Sequence, residues 1–147
     1  MCRKIAGFSA FSVLLAILAV GWTQTSLKAA ASKTLKVKLN YTGSGPLDEK
    51  HKIHVLLFDS DPYNSTTFEP MVSKTAGTKN ETVIFTDLHT SPVYAIAFYD
   101  KYASGQPESG SPVGIYGDGP GKMAPIKLEE EKTVEIEIAF DDSTKVP

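Results

Sequence analysis

The chain has 147 residues, with 15 Lys and Arg against 17 Asp and Glu, three His and one Cys. A formal charge of −2 excludes the broad basic surface that binding to nucleic acid requires. The single Cys2 sits at the extreme N-terminus, which excludes disulfides and thiol catalysis from the rest of the chain.

Residues 1–31 read as a signal peptide. Arg3 and Lys4 supply a positive start, and Ile5 to Trp22 form an apolar run broken only by Gly7, Ser9, Ser12 and Gly21. Ala29-Ala30-Ala31 then offers small residues for cleavage before Ser32. The apolar run is also long enough to serve as an uncleaved anchor. Membrane contact is expected only through this segment, and the location is secreted, periplasmic or cell envelope. Cys2 lacks the small residues that precede a lipidated Cys, so a lipoprotein is not expected. Setting the segment aside removes Arg3, Lys4 and Lys28 and no acid, which takes the charge from −2 to −5 and leaves no Arg. Arg is the residue best fitted to phosphate and base edges, so no nucleic-acid partner is expected.

Residues 32–147 form one domain, large enough for a single core, and no helix is expected in it. Leu35, Val37, Leu39 and Tyr41 alternate with Lys36, Lys38 and Asn40, the period of a half-buried strand. Ile53–Asp59 is apolar on both faces except at His54. Met71–Thr75 is a weaker strand after Pro70. Thr82–Thr86 and Val93–Tyr99 are rich in β-branched and aromatic residues and are joined by a polar turn with Asp87, Ser91 and Pro92. Pro112–Tyr116 and Pro125–Leu128 are short and flanked by Gly and Pro. Val134, Ile136, Ile138 and Phe140 alternate with Glu135 and Glu137 in the last strand.

Eight strands at this spacing predict an all-β fold, an eight-stranded antiparallel Greek-key β-sandwich of prealbumin-like or Ig-like type. Leu35, Val37, Leu39, Val55, Leu57, Val83, Phe85, Ile96, Phe98, Val134, Ile136 and Ile138 are its expected core. Lys36 and Lys38 face the charge pattern of Glu135 and Glu137, so the first and last strands are expected to be sheet neighbours.

The run Thr82-Val-Ile-Phe-Thr-Asp-Leu, followed by Val93-Tyr-Ala-Ile-Ala-Phe-Tyr-Asp, resembles the core of transthyretin-like or carboxypeptidase-regulatory-like modules. Leu35-Lys-Val-Lys-Leu and Lys132-Thr-Val-Glu-Ile-Glu-Ile extend the resemblance over most of residues 34–141. The resemblance implies an exported accessory domain used in adhesion, polysaccharide contact or scaffolding. Many such modules carry an Asp-, Asn- and Gly-rich loop after the Tyr-Asp step, where this chain has Lys101-Tyr-Ala-Ser-Gly. Some enzymes of transthyretin fold pair His with Arg near the C-terminus, and this chain has no Arg there.

The expected function is a non-catalytic binding or structural module, with a protein or polysaccharide partner. His51 and His54 point to opposite faces of an extended segment, and no nucleophile motif accompanies them or His89. The alternative is a calcium- or carbohydrate-binding module using the loop ends. If eight strands alternate in direction, Asp59, Asp61, Asp87, Asp118 and Asp141, with His89 and Asp142, gather at one end as an oxygen-rich site for Ca²⁺. No other cofactor is expected. Tyr63, Phe68, Tyr102 and Tyr116, in or beside loops, are the candidate sugar platforms. Asn40, Asn64 and Asn80 each begin an Asn-x-Thr glycosylation sequon.

Overall fold

The computed structural model describes residues 32–119 and 121–147, so the segment 1–31, expected from sequence to be a signal peptide, lies outside the described residues. Among the described residues seven strands form: β1 Lys33–Tyr41, β2 Ile53–Phe58, β3 Val72–Ala76, β4 Thr82–Leu88, β5 Tyr94–Tyr99, β6 Val113–Ile115 and β7 Thr133–Phe140. No helix occurs among the described residues, and therefore none long and apolar enough to cross a membrane. One sheet has the order β4-β1-β7 and the other β3-β2-β5-β6. A single buried cluster draws on both sheets, so they pack face to face as a sandwich.

Strand directions follow from side-chain contacts and ladders. Tyr41, Tyr99 and Phe140 end β1, β5 and β7, and their rings stack, Tyr41 lying 5.3 Å from Tyr99 and 4.7 Å from Phe140. These three strands therefore finish at one end, taken as the upper end. The antiparallel partners β2, β4 and β6 run down.

The expected eight antiparallel strands are corrected on two counts. Pro125–Leu128 does not join a sheet as a strand. Pro125 has no amide to give a ladder, and the segment is held by one bridge, Ile126 to Val93, and by the Leu128 amide donating to Ser91 Oγ at 2.9 Å. With that strand gone, the last strand is the seventh and runs up, so β1 and β7 pair in parallel.

They are neighbours as the charge pattern predicts. Lys36 aligns with Glu135 and Lys38 with Glu137, and Lys38 Nζ lies 3.4 Å from Glu137 Oε2. Both side chains are about half exposed, so the pair contributes only about 0.2–1 kcal/mol. Reversing Lys36 and Lys38 to Glu is expected to cost about 1 kcal/mol. Adding Glu135→Lys and Glu137→Lys should recover it in urea denaturation, and no recovery would refute the pairing.

Of the expected core, Leu35, Val37, Leu39, Val55, Leu57, Val83, Phe85, Ile136 and Ile138 lie in the buried cluster between the sheets. Val134 is only half buried, as the β7 alternation begins at the sandwich rim. Ile96 and Phe98 are buried on the opposite face of their sheet. Strand β5 sends Ala95, Ala97 and Tyr99 inward, and Ile96 and Phe98 outward. Strand β2 likewise turns Leu56 and Phe58 outward. Both strands are apolar at nearly every position, which is why one sheet buries both faces.

That outer face is covered by connections rather than by a further layer. Phe68 sits 4.9 Å from Phe58, and Met123 and Val146 pack on the same cluster. After β7 the chain crosses to the other sheet. The amides of Gly110 and Val113 donate to Val146 O and Thr144 O, at 2.9 and 3.0 Å, and the Val146 amide donates to Ser111 O at 2.9 Å. The tail thereby covers the upper part of the β6 edge. On the far side, Lys74 Nζ donates to Ile84 O at 2.6 Å and blocks a carbonyl on the outer edge of β4. Such a lysine guards an edge against further strand pairing.

Candidate functional site

The described surface offers one mainly apolar groove of about 440 Å³, on the outer face of the four-stranded sheet. Its floor is Ile96 of β5 and Val113 of β6. Pro62, Tyr63 and Phe68 of the β2–β3 connection form one wall, Gln106 and Pro107 of the β5–β6 loop another, and Val146 and Pro147 of the tail close it. Tyr63 and Phe68 are each 46% exposed, large for aromatic side chains beside a buried cluster. The β2–β3 loop is shaped locally by Asp61, which accepts the Tyr63 amide at 3.0 Å and Asn64 Nδ2 at 2.7 Å.

The β5–β6 loop is held by a group that was not singled out for this role from sequence. Asp100 is 2% exposed, and its carboxylate accepts the Ser104 amide at 3.1 Å and the Gly105 amide at 2.8 Å. Ala103 adopts a left-handed φ of 56° within this turn. The one available signal is the Asp followed four and five residues later by Ser and Gly, a spacing many loops share. His54 stacks on Phe98 at 4.9 Å and places Nε2 3.6 Å from Asp100 Oδ2. Burial holds the imidazole below its usual range, Asp100 opposes this, and Lys52 adds to it.

The sign of the resulting pH dependence is fixed. A ring whose charged form is disfavoured in the fold binds fewer protons than in the unfolded chain, just below pH 6.5. Stability is therefore expected to fall as pH drops from 6.5 toward the lowered folded value. His54→Gln should flatten that slope in melting curves between pH 7 and 5. A wild-type midpoint that rises on acidification in this window would refute it.

The acidic residues read as a Ca²⁺ site do not form one group. Asp59, Asp61, Asp87 and Asp118 follow or end strands that run down and lie at the lower end. Asp141 and Asp142 follow β7, which runs up, and lie at the opposite end because Pro125–Leu128 adds no strand to the count. Among the described residues no three His, Cys, Asp or Glu side chains come close enough to hold a metal ion. Several serve their own turns: Asp61 as above, Asp59 with Ser60 Oγ at 3.1 Å, and Asp141 with the Ser143 amide at 2.8 Å.

Of the aromatic quartet, Tyr63 and Phe68 meet at the groove, Tyr102 is exposed elsewhere, and Tyr116 packs against the inner core. Asn64 and Asn80 are exposed, and Asn40 is half buried in β1. His51 bonds Asp48 through Nδ1 at 3.0 Å, and His89 is exposed after β4.

No family model, no curated protein and no solved structure matches this chain.

Proposed function

We propose that this chain is a non-catalytic, exported β-sandwich that binds a protein or polysaccharide partner in the cell envelope or extracellular space. The groove formed by Tyr63, Phe68, Ile96, Val113 and Val146 carries this reading. Gln106 is the one side chain with a polar amide in its lining, which favours an extended protein segment with apolar side chains over a sugar. The carboxylates next to His51 and His54 also hold backbone amides of their own loops, which supports structural rather than catalytic employment of both pairs. Connections β1–β2, β3–β4, β4–β5 and β6–β7 each cross between sheets. That winding supports a Greek-key, prealbumin-like reading and the transthyretin-like or carboxypeptidase-regulatory-like resemblance.

The test compares wild type with a Tyr63→Ser, Phe68→Ser double variant on arrays of extended apolar and proline-rich peptides and of glycans. Both positions are exposed, so the fold is expected to survive. Peptides bound by wild type and lost by the variant support the reading. Arrays that fail to separate the two proteins overturn it.

A further inference from the structure

The upper end of the sandwich holds a second cleft of about 380 Å³, separate from the groove and with charged side chains in its lining. Ser44, Pro46 and His51 come from the β1–β2 connection, Lys101 and Pro112 from the β5–β6 loop, and Asp142 and Lys145 from the tail. Its acids and bases are treated differently by the fold.

The acids are satisfied from within. Asp142 accepts Tyr41 Oη at 2.6 Å, the Ser44 amide at 2.9 Å and Ser44 Oγ at 2.8 Å, so both its oxygens are used. Asp48, beside the cleft, accepts the Lys50 and His51 amides and His51 Nδ1. The bases are left open. Among the described residues, neither Lys101 nor Lys145 has a carboxylate within 4 Å or a hydrogen-bond acceptor. Lys101 Nζ rests 5.4 Å from the Tyr102 ring, and Lys145 is near enough to Asp142 to help keep that carboxyl ionised. With Nδ1 of His51 on Asp48, Nε2 is its one remaining polar atom.

A cleft whose carboxylate oxygens already hold donors, and whose ammonium groups have no hydrogen-bond acceptor, can offer those ammonium groups to an anionic oxygen. The geometry points to a binding site for a carboxylate-bearing sugar ring, a uronate, held by Lys101 and Lys145. The volume is at the lower end of ligand clefts, about 300–1,000 Å³, which suits a small ligand rather than a folded partner. Pro46 and Pro112 add apolar walls against which the C–H face of a ring can lie. Outside the leader segment the chain carries −5, whereas at this cleft Lys101 and Lys145 balance Asp142 and the adjacent Asp48, so an anion meets less repulsion here than from the chain as a whole.

Isothermal titration with an oligogalacturonate at low salt tests the proposal, with the matching neutral galactose oligomer and inorganic phosphate as separate arms. Uronate binding that weakens with added salt, and about tenfold in a Lys101→Gln, Lys145→Gln variant, is the expected result. Lys36→Gln, on the far face of the other sheet, should leave affinity unchanged. Equal binding of the neutral oligomer, binding of phosphate alone, or no binding of the uronate each overturns it. A Tyr63→Ser, Phe68→Ser variant separates this site from the groove, because it should bind the uronate as wild type does.

Discussion

Tyr41→Ala is expected to lower the unfolding free energy by about 3–5 kcal/mol, the range for removing a large buried aromatic ring. Tyr41 is 2% exposed and stacks between Tyr99 and Phe140, so truncation opens a cavity where three strand ends meet. The ring also orients the Asp142 carboxylate through its hydroxyl, at 2.6 Å. That carboxyl is held down at about 2 by the Ser44 amide, then by the Tyr41 and Ser44 hydroxyls. Tyr41→Phe keeps the packing and loses the hydrogen bond, and should cost about 1–3 kcal/mol because the acceptor is charged.

The same pair produces an alkaline signature. Burial first, then the Asp142 bond and charge, pushes the Tyr41 hydroxyl well above its usual 10. The unfolded chain therefore loses this proton first, and the stabilisation, complete below pH 10, is lost progressively as pH rises above it. Tyr41→Phe should remove that loss in denaturation curves between pH 9 and 11. Equal midpoints for wild type and Tyr41→Ala at neutral pH would refute the packing account.

Gly114→Val is the second large effect. A Cβ at Gly114 falls 2.7 Å from Phe140 Cβ and 2.8 Å from Ile138 Cγ2, closer than real side chains approach. Gly114 aligns with Ala97 in the β5–β6 ladder, so its backbone cannot retreat without breaking sheet pairing. Its neighbours belong to β7, so the missing side chain is what lets the edges of the two sheets close on each other. Overpacking of this kind typically costs about 1–3 kcal/mol, and a rigid, branched side chain against two strands belongs at or beyond the upper value. Gly77→Ala is the contrast. Its Cβ meets nothing nearer than Glu81 Oε2 at 3.8 Å, so the change should stay within about 0.5 kcal/mol. Equal urea midpoints for the two variants would show that the Gly114 contact is not limiting.

The strands themselves were legible because period-2 patterning is local. Leu35, Val37 and Leu39 alternate with lysines, and the structure follows that alternation residue by residue. The neighbouring of β1 and β7 was legible too, since charged faces on remote strands carry pairing information. What sequence hid was the pairing state of Pro125–Leu128. Ile126 and Leu128 are buried and Lys127 is exposed, as in a strand, yet only one bridge forms. Alternation reports which side of a segment is buried, not whether another strand is there to bond it.

That single difference turned β7 from antiparallel to parallel with β1 and moved Asp141 and Asp142 to the end that holds Asp100. The split of β5 was hidden for a related reason. Five consecutive buried residues do not say which face meets the inner core. The groove walls come from three separate segments whose meeting depends on long-range packing, and only Tyr63 and Phe68 were visible beforehand as loop aromatics.

The placement of β1 between β4 and β7 has a kinetic consequence. Strands β2 and β3, and β5 and β6, are joined directly within one sheet, whereas both partners of β1 come from far along the chain. Closing such remote pairs carries the larger entropy cost and slows folding. The local pairs β2–β3 and β5–β6 should therefore gain structure first, with the three-stranded sheet completed only when β7 docks.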